Sequence, residues 1–383
     1  MSEPADLGIY VHWPYCARIC PYCDFNVVRD RGRGGAQSAL FRAILADLTA
    51  QAERLGPRRL VSIFFGGGTP SLMRPETVQA ILDAIAGAWR VAPDAEITLE
   101  ANPGTVDAER FKEIRGAGVN RLSMGLQALD DSQLKFLGRV HDSAQAIKAV
   151  ELARATFPRI SFDLIYARPG QSLESWRTEL NRAISMAADH LSLYQLTIEP
   201  GTAFHPMAAR GDFIMPDDDH AAALFDLTQE ITEAAGLPAY EISNHARPGA
   251  ECRHNLLYWQ GDDFLGIGPG AHGRLTDDQG RTTTHRRHRA PEIWRGMVTE
   301  RGEGTADEGV LSGEDRVVEL VMMGLRLTEG LSLAKFPDLE AALDQDGLNE
   351  MIGEGFLEKS GPFLRATPKG RLLLNGVIER LLP

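Results

Sequence analysis

The chain has 383 residues, 43% of them hydrophobic and 24% charged, with a formal net charge of −13. That length exceeds what one hydrophobic core fills, so a large domain with a smaller companion is expected. The charge excludes a general nucleic-acid binder, which needs a basic footprint, and no apolar run is long enough to span a bilayer.

Met1–Asp6 has neither the basic region nor the apolar region of a signal peptide. Four cysteines in a chain this long make no disulfide framework, and reduced thiols fit a cytoplasmic location. Leu7–His12 reads as a buried strand that runs into Cys16, Cys20 and Cys23. Ser38–Leu55 has helical periodicity. Leu60–Phe65 is a second strand, followed by Gly66-Gly67-Gly68-Thr69-Pro70. Pro75 opens a helix reaching about Arg90, at a position where its missing N–H costs nothing. Strands are expected at Glu96–Glu100, Asn120–Leu126, Ile160–Ile165 and His190–Leu196. Helices are expected near Asp107–Arg115, Asp131–Leu137, Ser143–Thr156 and Leu173–Ala188. Six strands alternating with helices argue for an α/β fold with a parallel sheet. Polar or glycine residues stand at the strand ends: Gly66–Thr69, Glu100, Gln127, Asp163 and Gln195. Function at the carboxyl ends of parallel strands is the rule for barrels and open sheets alike, and periodicity does not separate the two.

Asp217-Asp218-Asp219 precedes a helix over His220–Ala235 and suits capping. Ala239–Gly273 fits no long element, and Gly266–Gly273 reads as a loop closing the far side of the site. Arg281–Arg289 is a basic island. The tail, Ala306–Pro383, is expected to hold helices at Glu314–Leu327, Leu339–Glu354 and Pro368–Leu382. A two-stranded wing flanks Gly361-Pro362. Its 14 acidic residues against 8 basic ones point to packing or interaction rather than DNA binding.

The spacing C-x3-C-x2-C at Cys16, Cys20 and Cys23 suits a soft metal centre. A structural zinc site needs four ligands, and the fourth cysteine, Cys252, is remote. Two readings remain open: a zinc site completed by His12 or Asp24, or a four-iron cluster with one iron left for an outside ligand.

The cysteine stretch resembles the signature of the radical S-adenosylmethionine (SAM) superfamily. That resemblance implies a partial (β/α)6 barrel and a [4Fe–4S] cluster on Cys16, Cys20 and Cys23. SAM would chelate the open iron and be cleaved to a deoxyadenosyl radical. Gly66–Pro70 resembles the glycine-rich SAM element, with Gly68 expected against the ligand. Local words matching the oxygen-independent coproporphyrinogen III oxidases imply Tyr10, Gly67, Gly68, Thr69, Glu100, Gln127, Arg139 and Asp163 as SAM-binding residues. Thr197 and His272 match two further positions less closely.

Those oxidases carry one more cysteine where this chain has Phe25. His254-Asn255-x-x-Tyr258-Trp259 is similar to the HNxxYW motif of the heme chaperone HemW family. This second resemblance implies a small C-terminal helical, winged-helix-like domain, giving an expected division into 1–235, 236–300 and 301–383. It implies heme as cargo, with His254 the first choice of axial ligand, Cys252 the next, Trp259 packing on the porphyrin and the 281–289 island meeting propionates. A heme-acceptor protein is the expected partner. Peripheral membrane contact through that acceptor and homodimerisation are further options, and nucleic acid is not expected. The rival function is oxidative decarboxylation of coproporphyrinogen III in porphyrin biosynthesis.

Overall fold

Strand β1 (Asp6–Trp13) alternates little in polarity, and nearly all of it is buried. That is the pattern of a strand covered on both faces. A computed structural model describes residues 6–32 and 34–382 of the chain, so residues 1–5 of the N-terminal stretch read above lie outside it. Five strands follow in parallel order: β2 (Arg59–Gly67), β3 (Arg90–Ala101), β4 (Arg121–Gln127), β5 (Arg159–Tyr166) and β6 (His190–Gln195). Helices Gly34–Leu55, Pro75–Ala88, Ala108–Gly116, Ser143–Thr156 and Leu173–Met186 connect them. The sequence reading of six alternating strands matches this part of the fold closely. Asp217 caps the helix Asp218–Ala234 by accepting from the His220 amide.

The second half departs from the reading. Ala239–Gly273 contains β7 (Asn244–Ala246), the helix Arg253–Trp259 and β8 (Phe264–Ile267). β8 pairs in parallel with β1 on the side away from β2. Gly266 and Ile267 are therefore strand residues, and only 268–271 form the loop. β9 (His272–Thr276), β10 (Thr282–Arg287) and β11 (Thr305–Val310) extend the sheet in antiparallel fashion. The sheet has 11 strands in the order β11-β10-β9-β8-β1-β2-β3-β4-β5-β6-β7, and its two end strands do not pair. Most of the basic island, Thr282–Arg287, is thus strand β10. Arg281 pairs with Asp277, Arg286 with Asp307, and Arg287 with Asp47 and Glu303. Arg281, Arg286 and Arg287 are therefore paired and offer no free cationic surface for propionates, whereas Arg289 has no ion-pair partner among the described residues.

The main sheet claims the chain as far as Val310, later than the expected boundary at residue 301. Beyond it, a separate apolar cluster forms from Leu320, Val321, Leu325, Leu348, Leu364 and Ile378 among others. The wing is present as β12 (Leu331–Ser332), β13 (Leu357–Ser360) and β14 (Phe363–Ala366), with β14 in the middle. The last helix is two, Pro368–Leu372 and Leu374–Leu381. Among the described residues, no helix is long and apolar enough to cross a membrane.

Candidate cluster and SAM site

The chain leaves β1 through Pro14, and Tyr15-Cys16 pairs with Val28-Arg29 to tie the ends of the cysteine loop together. Two further bonds seat the loop on the glycine run: the Gly68 amide donates to the Trp13 carbonyl at 2.7 Å, and the Thr69 amide to the Tyr15 carbonyl at 2.8 Å. Cys16, Cys20 and Cys23 then line one cavity at the carboxyl edge of the parallel strands. Among the described residues, no three His, Cys, Asp or Glu side chains close on a single ion. The three thiols share the wall of that cavity. His12 does not complete a zinc shell: its Nδ1 meets the Tyr10 hydroxyl at 3.0 Å and its Nε2 the Asn26 carbonyl at 2.8 Å. Burial raises the Cys16 thiol pKa and pushes the Cys23 thiol up to about 11.

Gly67, Gly68, Thr69, Glu100, Gln127, Arg139 and Asp163 line the same cavity. Glu100 ends β3 and accepts from the Gly67 amide at 3.1 Å. Burial, reinforced by the negative charge of Asp163, pushes its carboxyl up to about 8. Burial raises Asp163 to about 6, against a hydrogen bond from Ser192. Such carboxyls are poised to ionise when a cationic group enters. Gln127 has φ +77°, rare for a residue with a side chain. It follows a register shift between Gly125 and Gln127, and such a bulge re-aims a side chain. Arg139 donates to the Gly125 carbonyl at 2.6 Å and to the Cys20 sulfur at 3.3 Å. Its Nε has no protein partner. The sequence reading did not pick out Arg18, Tyr22, Asn102 and Ser123, which also line the cavity. Asn102 and Ser123 lie just beyond or within strands already identified, so the strand-end rule was their available signal.

Tyr10 sits elsewhere. It lines a second cavity with His12, Tyr258, Phe264 and His272, and this cavity shares Phe25, Gly67 and Glu100 with the first. Thr197 is exposed and lines neither.

The reason for glycine at position 68 also differs from expectation. A Cβ there would lie 2.6 Å from the Tyr15 carbonyl oxygen and 2.9 Å from Pro14 backbone atoms. The clash is with the root of the cysteine loop, before any ligand arrives. Gly68→Ala is expected to lower cluster occupancy and SAM affinity together, read by iron analysis and anaerobic calorimetry. Full cluster with weakened SAM binding alone would assign the glycine to ligand approach instead.

His254 does not fit the role of heme ligand. It is 1% exposed. Its Nδ1 bonds the Ser62 hydroxyl at 2.8 Å and its Nε2 the Tyr258 hydroxyl at 2.7 Å. The ring also stacks on Phe64 and Tyr10. Neither nitrogen is available to iron without breaking a buried hydrogen bond. Cys252 is equally buried, with its sulfur 3.4 Å from the Glu96 carboxylate. Trp259 packs under Arg326 of the tail. In this structure the motif's His254 holds Tyr258, which lines the wall of the second cavity.

Six parallel strands delivering three thiols and a glycine run to one carboxyl edge define a radical SAM-type protein. The model of the Radical SAM superfamily matches residues 10–183, and that of the HemN C-terminal domain matches residues 311–373. The heme chaperone HemW of Escherichia coli is 37% identical over 100% of both chains. The mouse mitochondrial radical S-adenosyl methionine domain-containing protein 1 is 38% identical over 100% of this chain and 88% of its own. The HemW of Mycobacterium tuberculosis is 36% identical over 98% and 94%. The chain belongs to the heme chaperone HemW family of the radical SAM superfamily. Its fold also resembles the Escherichia coli coproporphyrinogen III oxidase HemN, a radical SAM enzyme, with TM-score 0.82 at 22% identity over 98% of this chain and 90% of that one.

Proposed function

We propose that this chain is a heme chaperone that holds a [4Fe–4S] cluster on Cys16, Cys20 and Cys23, binds SAM beside it, and passes heme to an acceptor protein. One observation carries the reading: the three thiols and seven of the eight SAM-assigned residues line one cavity, in a chain that matches a heme chaperone from end to end. The residues fit the groups. Three thiolates are the soft donors an iron–sulfur cluster takes. Arg139 donates to the Cys20 sulfur and has an unpartnered Nε for the SAM carboxylate. Glu100, held neutral by burial, gains charge against the SAM amino group, and Asp163, raised less by burial, adds its carboxylate. The cluster and SAM supply one-electron chemistry when bound; the chain's residues orient them and keep Glu100 and Asp163 turned into the site.

Phe25 supports the chaperone reading over the oxidase one. It is 63% exposed at the mouth of both cavities, where the oxidases carry a further cysteine. We assign the radical SAM core to 1–235, its sheet extension to the stretch that follows, and an acceptor-facing role to the acidic tail. A reducing cytoplasm suits the four free thiols. Dimer formation and membrane contact through the acceptor belong to the same reading.

The test is anaerobic titration of reconstituted protein with heme, followed by mixing with a heme-free hemoprotein. Saturable binding and transfer are expected. Absence of heme binding, or multiple turnovers of coproporphyrinogen III to protoporphyrinogen IX, would overturn the reading.

A further inference from the structure

His272 opens β9 just after the loop 268–271, and its side chain is exposed into the second cavity. Its placement is built rather than incidental. Gly266 on β8 is backed against the His272 carbonyl so closely that a Cβ at 266 would overlap it. Asn26, from the end of the cysteine loop, donates to the Pro269 and Arg289 carbonyls at 2.9 Å each. The Arg287 amide donates to the Ala271 carbonyl at 2.8 Å. The backbone beneath His272 is therefore pinned from three directions, one of them the cysteine loop.

The side chain itself is left free. Neither ring nitrogen of His272 has a hydrogen-bond partner among the described residues, whereas His12 and His254 have both of theirs engaged. Partial burial, with the positive charges of Arg274, Arg286 and Arg289, lowers its pKa and keeps the imidazole neutral, the form that binds iron. Tyr10, Phe25, Tyr258 and Phe264 give the surrounding wall aromatic faces, with His12, Asn26 and Glu100 as its polar members. Arg274 and Arg286 are paired with Glu319 and Asp307. Arg289 does not line the cavity, but it is exposed, has no ion-pair partner among the described residues, and its charge acts on His272, so it can meet a carboxylate extending from the cavity.

The geometry points to His272 as the axial ligand of heme iron, with the porphyrin against the aromatic wall of the second cavity and Arg289 beside a propionate. The inference rests on the heme-chaperone reading and replaces the role expected of His254. An open, solvent-facing pocket suits cargo that must leave again. Phe25, Gly67 and Glu100 form the shared wall with the cluster cavity, so heme and cluster sites are neighbours.

The experiment compares heme titrations of wild type, His272→Ala and His272→Met, each with its cluster reconstituted, by absorption spectroscopy. His272→Ala is expected to shift the Soret band and weaken heme binding about tenfold or more, with cluster iron unchanged. His272→Met should retain a ligand but give a different spectrum, and it decides the matter should the alanine variant not fold. Wild-type heme binding with unaltered band and affinity in both variants overturns the assignment alone. No heme binding by wild type overturns the chaperone reading and the assignment with it.

Discussion

Cys20→Ala is expected to reduce reconstituted iron from about four atoms per chain to below about one, since a [4Fe–4S] cluster held by three thiolates has no spare protein ligand. Cys16→Ala and Cys23→Ala should do the same, because all three sulfurs line one cavity. Cys252→Ala should keep its cluster. Its sulfur is beside Glu96, four residues before Glu100 on β3. At the strand rise of roughly 3.3 Å per residue that is about 13 Å from the carboxyl edge. Burial pushes its thiol up to about 12, so it is an inert packed group whose loss costs about 1 kcal/mol. Iron analysis and electron paramagnetic resonance read the outcome. A full cluster in Cys20→Ala, or none in Cys252→Ala, would remove the ligand assignment.

The carboxyl-edge site was legible because strand-end residues follow from periodicity, and six strands with helices between them leave strong periodic signals. Periodicity puts Glu100, Gln127 and Asp163 at strand ends, and the family resemblance is what assigns them to SAM. What the sequence hid depends on contacts between distant segments. β8 is four residues long and contains Gly266, which weakens a strand signal. β10 carries Arg286 and Arg287, so it reads as a charged surface until Asp47, from the first helix, is seen against it. Asp47, Arg287 and Glu303 share no local pattern. His254 looked like a ligand because a motif displays residue types, and only the fold shows that Ser62 and Tyr258 consume both nitrogens. His272 was visible only as a weak match, since its freedom is a property of what does not reach it. Gly68 was identified for a ligand, but the neighbour that forbids a side chain is the backbone of Pro14 and Tyr15.

Arg287→Met is expected to destabilise the fold by about 3–5 kcal/mol, the cost of leaving a buried charge without its partner. Arg287 and Asp47 are both fully buried, with Nε 3.7 Å from the carboxylate. The same Nε donates to the Gly266 carbonyl at 3.0 Å, and Nη1 lies 3.3 Å from Glu303 and bonds Thr305. The guanidinium thereby joins β8, β10, β11 and the first helix at the root of the His272 loop. Burial raises the Asp47 carboxyl to about 6 even with Arg287 opposing it. Its unfolded value is near 3.9, so the native state holds the extra proton between those values. Stability from this group is present below about pH 4 and is lost as pH rises through about 6. Removing Arg287 withdraws the opposing charge, raises the folded pKa further and extends that loss to higher pH. The variant's deficit in urea unfolding should therefore be larger at pH 8 than at pH 5. Adding Asp47→Leu to Arg287→Met removes the stranded charge and should recover most of the loss. An equal deficit at both pH values, with no recovery in the double variant, would show that the arginine acts through packing and its bond to Gly266 rather than through the buried pair.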